Sequence, residues 1–309
     1  MNYLNYNAKE SNLEDFFTII YVLVDDIYKE VVPKRIKNRK NIGQQKLTDS
    51  ELITISIVGE CVLGKSENSY FSFIEKNYRH LFSDWIDETR FNRTIRNLHS
   101  VIELIRISVL EKLEADKEIA YIVDSMPISV CEFGRAKFCS GFKDTAKYGY
   151  CASKKETLYG FKLHVLTTLS GIPVKYVLEG ANEHDITVLP ELVSNVYNVC
   201  VLGDKGYVGE DLKVDLLKTN QIKLYALQRG NQKDKYPKEL NSLLKSKRKR
   251  IETTFSQLCD QFELEKVYAK TIWGMITRIK IKLLSFVLCC LINKLRGCEN
   301  LVKIKELVF

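Results

Sequence analysis

The spacing of apolar residues changes near residue 118. Before that point Leu13, Phe16, Ile20 and Leu23 recur at intervals of three and four, and the pattern returns between Leu52 and Val62. Such spacing predicts amphipathic helices. Beyond it the apolar residues form short runs bounded by Gly, Pro and Asn, which predicts strands. We therefore divide the chain into a helical region (residues 1–117), a mixed α/β domain (118–270) and a C-terminal helical segment (271–309).

Two capping signals mark helix starts in the first region. Ser11 with Glu14, and Thr48 with Glu51, have the spacing of a capping box ahead of an apolar run. Between these helices lies a basic linker, residues 34–40. It is either a solvated connector or an arm that follows phosphates, and the residues favour neither reading.

A further helix, Glu88 to Leu98, combines an apolar face with a basic remainder. The apolar residues are Phe91, Ile95 and Leu98, whereas the arginines are Arg90, Arg93 and Arg96. This pattern is typical of a recognition helix in a helix-turn-helix-like module, where the arginines enter a DNA groove. Any surface helix of a basic protein has the same pattern.

The second region predicts an α/β domain with a mixed sheet and flanking helices. The predicted strands are Ala120 to Ile128, Phe161 to Leu169, Ile172 to Leu178, Val199 to Leu202 and Ile222 to Leu227. Helices are predicted over residues 186–197 and 210–218. Ser170-Gly171 is the predicted hairpin turn, and residues 131–160 are predicted to be a long connection.

Three acids stand out in this domain. Asp124 interrupts a buried strand, Asp204 follows the carboxyl end of another, and Glu252 lies on a helix after the last strand. A buried charge is costly unless it is paired or binds metal. Two aspartates and a glutamate supply the oxygen ligands that a pair of Mg²⁺ ions needs for phosphoryl transfer.

For Glu252 and for the polar residues Asp185, Lys162 and His164, a structural role is an alternative to a functional role. Glu252 has the spacing of an ion pair with Arg248, and Asp185 has the position of a helix cap, which we prefer to a catalytic role. Lys162 and His164 alternate on one strand face, and we assign neither to catalysis.

Clustered cations indicate a polyanionic partner. The chain has 47 Lys and Arg against 39 Asp and Glu, a formal net charge of +8. Aromatic residues are interleaved with lysines between residues 131 and 160, which suits nucleic acid. Besides the three arginines above, the predicted DNA contacts are Lys143, Lys147, Lys154, Lys155, Lys205, Lys245, Lys247, Arg248 and Arg250.

The composition also limits location. Nine cysteines, an odd number, favour a reducing compartment over a disulfide framework. The N-terminus lacks a signal-peptide pattern, and the longest apolar run, Leu283 to Ile292, is too short to span a bilayer. We expect no membrane association. Ile272 to Leu295 predicts a helix that covers the core or a partner subunit, capped by Gly297.

Four motifs resemble the DDE transposases of bacterial insertion sequences. They are Ile-Val-Asp-Ser-Met-Pro-Ile, Tyr-Gly-Phe-Lys-Leu-His, Leu-Gly-Asp-Lys-Gly-Tyr and Arg-Ile-Glu-Thr-Thr-Phe-Ser-Gln-Leu, and the likeness covers roughly residues 120–264. The Tyr, Arg, Glu, Lys signature of some members is incomplete, because Lys245 lies seven residues before Glu252 and Cys259 seven after it.

This resemblance implies a ribonuclease H-like catalytic core with the triad Asp124, Asp204 and Glu252. It also implies a reaction that cuts element ends and joins them to target DNA. We expect Mg²⁺ as cofactor, with Mn²⁺ able to substitute, and a homo-oligomer on double-stranded DNA in the bacterial cytoplasm, associated with the nucleoid. Two alternatives stay open: a catalytically silent, transposase-derived DNA-binding protein, and another ribonuclease H-like nuclease.

Overall fold

The chain forms two compact units. The computed structural model describes residues 12–63, 66–151, 155–228 and 236–307. The first unit takes in Met1–Leu113 with Gln257–Phe309, and the second is Glu114–Ser256. We call them the helical unit and the sheet unit.

The helices in the described residues are α1 (Leu13–Val31), α2 (Lys34–Lys37), α3 (Asp49–Val62), α4 (Glu67–Tyr78), α5 (Glu88–Asn97), α6 (His99–Leu113), α7 (Asp185–Leu192), α8 (Glu210–Asn220), α9 (Lys238–Phe262) and α10 (Ile272–Leu295). The strands are β1 (Ala120–Ser129), β2 (Lys147–Cys151), β3 (Glu156–Thr168), β4 (Pro173–Gly180), β5 (Cys200–Gly203) and β6 (Lys223–Ala226). In the part of the chain that the structure describes, no helix is long and apolar enough to cross a membrane.

Side-chain caps fix the starts of the N-terminal helices. The Thr48–Glu51 capping box before α3 is confirmed, since the Thr48 side chain accepts from the Glu51 N–H and the Glu51 carboxylate accepts from the Thr48 N–H. The prediction for α1 was wrong: Asn12 is its cap and accepts from the Asp15 N–H. Ser11 lies outside the described residues.

The C-terminal helix α10 is a core element of the helical unit. It packs against α3 and α6, and most of its side chains are buried. The expectation that it covers the catalytic core or a partner subunit stays a prediction. Gly297 adopts a left-handed backbone just past the end of α10, as predicted for its cap.

Three charged side chains are buried together in the helical unit. Glu60 of α3 accepts from Arg278 at 2.6 Å and from Lys282 at 2.5 Å, and the exposed fraction of each residue is 2% or less. Lys282 also donates to the carbonyl of Phe262. Burial is the main cause that lowers the pKa of Lys282. We call these three residues the buried ionic trio.

The sheet unit contains a mixed sheet of the order β2-β3-β1-β5-β6, with β4 also paired to β3. The β1–β3, β3–β4 and β2–β3 pairs are antiparallel, whereas β1–β5 and β5–β6 are parallel. Ser170-Gly171 turns the β3–β4 hairpin as predicted, and Gly171 has a φ of +101°. Strand β2 lies within the stretch that we predicted to be a connection, because its sequence Lys-Tyr-Gly-Tyr-Cys resembles a loop.

Helix α9 covers one face of the sheet. Its Leu244 and Ile251 join a core cluster with Ile122, Leu202 and Leu227. The Thr254 hydroxyl donates to the carbonyl of Gly171, which fixes the helix against the hairpin turn. Because α9 begins at Lys238, the cations just before Ile251 are part of the helix.

Candidate active site

Asp124 lies in the middle of β1, opposite Val165 of β3 and two residues beyond Ile122, where the pairing with β5 ends. Its side chain is 18% exposed, and its Oδ1 accepts from the N–H of Ser125 at 2.9 Å. Burial is the main cause that raises its pKa above the ordinary value, although the Arg248 charge acts in the opposite direction. The protein therefore withdraws a carboxyl from water at this position and sets a cation beside it.

All three predicted acids face one nitrogen atom. Nη2 of Arg248 lies 2.9 Å from Asp124 Oδ2, 3.7 Å from Asp204 Oδ2 and 3.7 Å from Glu252 Oε1. Asp204 lies just past the end of β5, and its Oδ1 accepts from the N–H of Gly206. Glu252 stands one turn after Arg248 on α9. The fold thus brings together three side chains that are far apart in sequence.

The charges of this cluster do not balance. Three carboxylates surround a single guanidinium, which leaves an excess of negative charge. Burial opposes the charge on Arg248, but the surrounding carboxylates, Asp124 foremost, raise its pKa above the ordinary value. The ion pair between Arg248 and Glu252 that the sequence spacing suggested is present, at 3.7 Å. Glu252 still faces the same guanidinium as the two aspartates.

The donor chemistry suits a hard divalent cation. Carboxylate oxygens are the ligands that Mg²⁺ prefers, and the excess negative charge favours a cation. Among the described residues no group of three or more His, Cys, Asp or Glu side chains is placed so that it could hold a metal ion. The Arg248 guanidinium lies between the carboxylates of Asp124, Asp204 and Glu252. The type of donor, not the present spacing of the three side chains, is what suits a metal.

A fourth acid, Asp185, joins the two aspartate-bearing segments. The preferred reading of Asp185 as a helix cap was wrong, because His184 is the N-cap of α7 and no side chain caps that helix. Oδ1 of Asp185 instead accepts from the Ser125 hydroxyl at 2.9 Å and from Lys162 at 3.2 Å. An aspartate at the end of a loop and the start of a helix can either cap the helix or belong to an active site. The sequence pattern is the same in both cases, so it could not distinguish the two roles.

Gly206 leaves space for this fourth acid. A Cβ at Gly206 would lie 2.7 Å from Asp185 Oδ2, so a side chain there would displace the carboxylate. Asp185 thus touches the residue next to Asp124 on one side and the turn after Asp204 on the other. The contact fixes both segments relative to each other.

Two polar side chains behind the acids are buried without hydrogen-bond partners. Both ring nitrogens of His164 lack partners, and Nδ1 lies 3.8 Å from Asp185 Oδ1. The Tyr207 hydroxyl also lacks a partner. Burial, followed by the negative charges of Asp185, Asp124 and Asp204, raises the pKa of Tyr207 well above its ordinary value.

His164 makes stability depend on pH. Burial lowers the pKa of His164 to about 4, against 6.5 for an exposed histidine. Between those values the unfolded chain binds more protons, so the free energy of unfolding falls as the pH drops from 6.5 towards 4. We expect a loss of about 2 kcal/mol from this residue between pH 7.5 and pH 5.

Urea unfolding of the wild type and of His164→Asn at pH 7.5 and pH 5 measures this loss. Other titrating groups contribute equally to both proteins, so the difference between them isolates His164. An equal pH dependence in the two proteins would contradict the prediction.

The predicted DNA contacts fall into different environments. Arg90 and Arg93 are exposed on α5, whereas Arg96 is half-buried and lies 3.7 Å from Glu67. Lys154 lies outside the described residues. The other lysines that we predicted as contacts, all in the sheet unit, are exposed: Lys143, Lys147, Lys155, Lys205, Lys245 and Lys247. Arg248 binds the acids, and the half-buried Arg250 packs its side chain beside Gly171.

The structure is thus a mixed α/β fold in which Asp124 of β1, Asp204 just past β5 and Glu252 of α9 lie around one arginine. The sequence model of the Transposase DDE domain family matches residues 115–288, more than half of the chain and inclusive of all three acids. The chain belongs to this transposase family, which confirms the resemblance found in its motifs. A search of curated proteins finds no match. Family membership implies a nuclease or transferase that acts on DNA.

Proposed function

We propose that the protein is an active transposase that binds the ends of an insertion sequence, cleaves DNA phosphodiester bonds and transfers the strands to target DNA. The proposal is based on one observation: the carboxylates of Asp124, Asp204 and Glu252 all lie within 3.7 Å of Nη2 of Arg248. A purely structural ion pair needs one carboxylate for one guanidinium. Three carboxylates leave room for further positive charge, as a metal-dependent phosphoryl transferase requires.

We infer that the sheet unit has a ribonuclease H-like core. Four strands, β1 to β4, joined by antiparallel pairs precede β5 and β6, which pair in parallel with β1 and with each other. Strand β1 is central and carries the first acid in its middle. The helical unit then supplies DNA binding, with α5 as a helix-turn-helix-like recognition helix. We accordingly keep the proposed division into a DNA-binding region (1–117), a catalytic domain (118–270) and a C-terminal helical segment (271–309).

In the proposed mechanism Asp124, Asp204 and Glu252 hold two Mg²⁺ ions, for which Mn²⁺ can substitute. Bound there, the ions supply Lewis-acid activation of a water or 3′-hydroxyl and neutralise charge on the leaving oxygen. Asp185 keeps the segments of Asp124 and Asp204 in place through Ser125 and Gly206. Arg248, once released from the carboxylates, is free to contact a DNA phosphate.

The proposal is tested with linear DNA that carries the inverted repeats found beside the gene. With Mg²⁺ the purified protein should cut at these ends and join them to a second DNA molecule, acting as a homo-oligomer. Binding of the ends without cutting would assign it to a silent DNA-binding protein. Cutting that ignores the repeats would assign it to another nuclease.

The exposed lysines of α9 provide a separate prediction. Lys245, Lys247 and Lys249 point into solvent near the acids on the same helix, and we expect them to bind phosphates without reading bases. Each lost phosphate contact lowers the slope of log affinity against log salt by about 0.9. Replacing all three with Gln should therefore reduce the slope by about 2 to 3.

DNA binding measured between low and moderate salt gives this slope. Lys218→Gln, at an exposed lysine of α8, is the control and should change the slope by less than one. An unchanged slope in the triple variant would assign these lysines to a solvated surface.

A further inference from the structure

A basic, ring-lined cleft opens in the sheet unit beyond the end of β1. Its volume is about 480 Å³, in the range of small-ligand sites. Its lining includes Lys137, Phe138, Cys139, Lys143, Lys147 and Tyr148. We call it the β2 cleft, because Lys147 and Tyr148 begin that strand.

The β2 cleft lies on the same face of the sheet as Asp124. Residues directly opposite each other in an antiparallel pair point to the same face, and alternate residues of a strand share a face. Asp124 is opposite Val165 in β3. Tyr159 lies six residues before Val165 and so shares its face, and Tyr148 is opposite Tyr159.

The separation between acids and cleft matches a few nucleotides. Ser129 of β1 and Lys147 of β2 flank Gly160 of β3 on opposite sides. Ser129 lies five residues beyond Asp124, which is roughly 17 Å along a strand. Lys147 lies two strand spacings, roughly 10 Å, to the side of Ser129, so the cleft is roughly 20 Å from Asp124. Successive nucleotides of one duplex strand rise about 3.4 Å, and this distance corresponds to about six nucleotides.

The walls of the cleft supply two kinds of contact to nucleic acid. Lys137, Lys143 and Lys147 are exposed, and within the described ranges none of them has an ion-pair partner. Phe138 is 85% exposed and Tyr148 is 49% exposed. Exposed rings beside free lysines allow a base to stack while its phosphates meet ammonium groups.

Tyr148 is supported from behind. Its ring centre lies 4.8 Å from that of Tyr159 and 5.9 Å from that of Phe133. The Tyr159 hydroxyl in turn donates to the carbonyl of Phe142 at 3.3 Å. A ring held by two others loses little side-chain entropy when a base stacks on its free surface, so binding is less costly.

We propose that the β2 cleft binds an unpaired nucleotide of the DNA on which the acids act. The base stacks on Tyr148 and Phe138, and the flanking phosphates contact the three lysines. Bases within a duplex are already stacked on each other and do not offer their faces to a ring, so the occupant is single-stranded. This role rests on the proposed function, because it assumes that the acids act on DNA.

The test is binding of a labelled twelve-nucleotide oligo(dT) and of a duplex of equal length, measured by fluorescence anisotropy in EDTA. Tyr148→Ala should weaken single-strand binding by roughly 5- to 100-fold, the effect of one lost base–ring stack, and duplex binding by less than threefold. Phe138→Ala should act in the same direction. Tyr148→Phe should retain wild-type binding, because stacking does not need the hydroxyl. Tyr197→Ala, at an exposed tyrosine of the same unit, is the control.

Alkylation of Cys139 gives a second measurement on the unmodified protein. Oligo(dT) should slow the reaction of maleimide with Cys139, which lines the cleft, and leave Cys259 unaffected, as located by mass spectrometry. Unchanged single-strand affinity in Tyr148→Ala and Phe138→Ala, or equal losses on single strand and duplex, would overturn the proposal. Because no cleavage occurs in EDTA, these results are independent of whether the protein cuts DNA.

Discussion

Asp124→Asn is expected to abolish DNA cleavage and strand transfer, with a rate loss of at least about 10³-fold. The amide keeps the size of the side chain and its contact with the Ser125 N–H, but it loses the charge that faces Arg248. Binding of DNA ends should remain within a few-fold of the wild type, because this side chain is only 18% exposed. Single-turnover cleavage of inverted-repeat DNA measures the rate.

The control for this substitution is Glu239→Gln, which removes an exposed acid from α9, the helix that carries Glu252. It should cleave at the wild-type rate. A thermal shift with Mn²⁺ provides an independent measurement, since the wild type should gain more stability from the ion than Asp124→Asn. Cleavage by Asp124→Asn at a near wild-type rate would remove this residue from the mechanism.

The largest effect on stability is expected from Glu60→Gln in the buried ionic trio. In the wild type Arg278 and Lys282 lie 2.6 and 2.5 Å from the Glu60 carboxylate. In the variant both cations stay buried with no negative charge between them. Removing one partner of a buried ion pair typically costs 3–5 kcal/mol. We therefore expect the free energy of unfolding of the helical unit to fall by about that amount. Chemical denaturation followed by circular dichroism measures it.

Lys282→Met separates charge balance from packing. It leaves one carboxylate for one guanidinium and fills the same volume with an apolar chain, so it should cost less than Glu60→Gln even though it also removes the donor to Phe262. Glu111→Gln, at an exposed acid of α6, should change stability by less than about 0.5 kcal/mol. Equal losses in the two buried variants would mean that lost hydrogen bonds, not charge balance, dominate.

The sequence predicted those parts of the fold that depend on local periodicity. The capping box at Thr48 and the hairpin at Ser170-Gly171 are confirmed, because a cap and a tight turn need particular residues at fixed positions. The central strand around Asp124 could likewise be recognised from its apolar run. Asp204 and Glu252 could be placed on their elements, and the structure shows how close they come to Asp124.

Long-range contacts could not be derived in the same way. Arg248 interrupts the apolar stripe that links Leu244 to Ile251, so the sequence at this point indicates a basic connection. Only the tertiary structure shows that the Arg248 guanidinium contacts the acids. Asp185 was misjudged for the same reason, because its partner Ser125 lies sixty residues away. Strand β2 was missed since its pairing with β3, not its composition, makes it a strand.

The order of the strands has a consequence for synthesis on the ribosome. The β3–β4 hairpin pairs neighbouring segments, whereas β1 pairs in parallel with β5 from Ala120 to Cys200, and such non-local pairing forms slowly. The acidic centre also needs α9, the last element of the sheet unit. At about 5–20 residues per second, translation from Asp124 to Glu252 takes on the order of ten seconds. The helical unit is completed later still, because its core helix α10 follows α9 in the chain, so the three acids can come together before the N-terminal helices are fully packed.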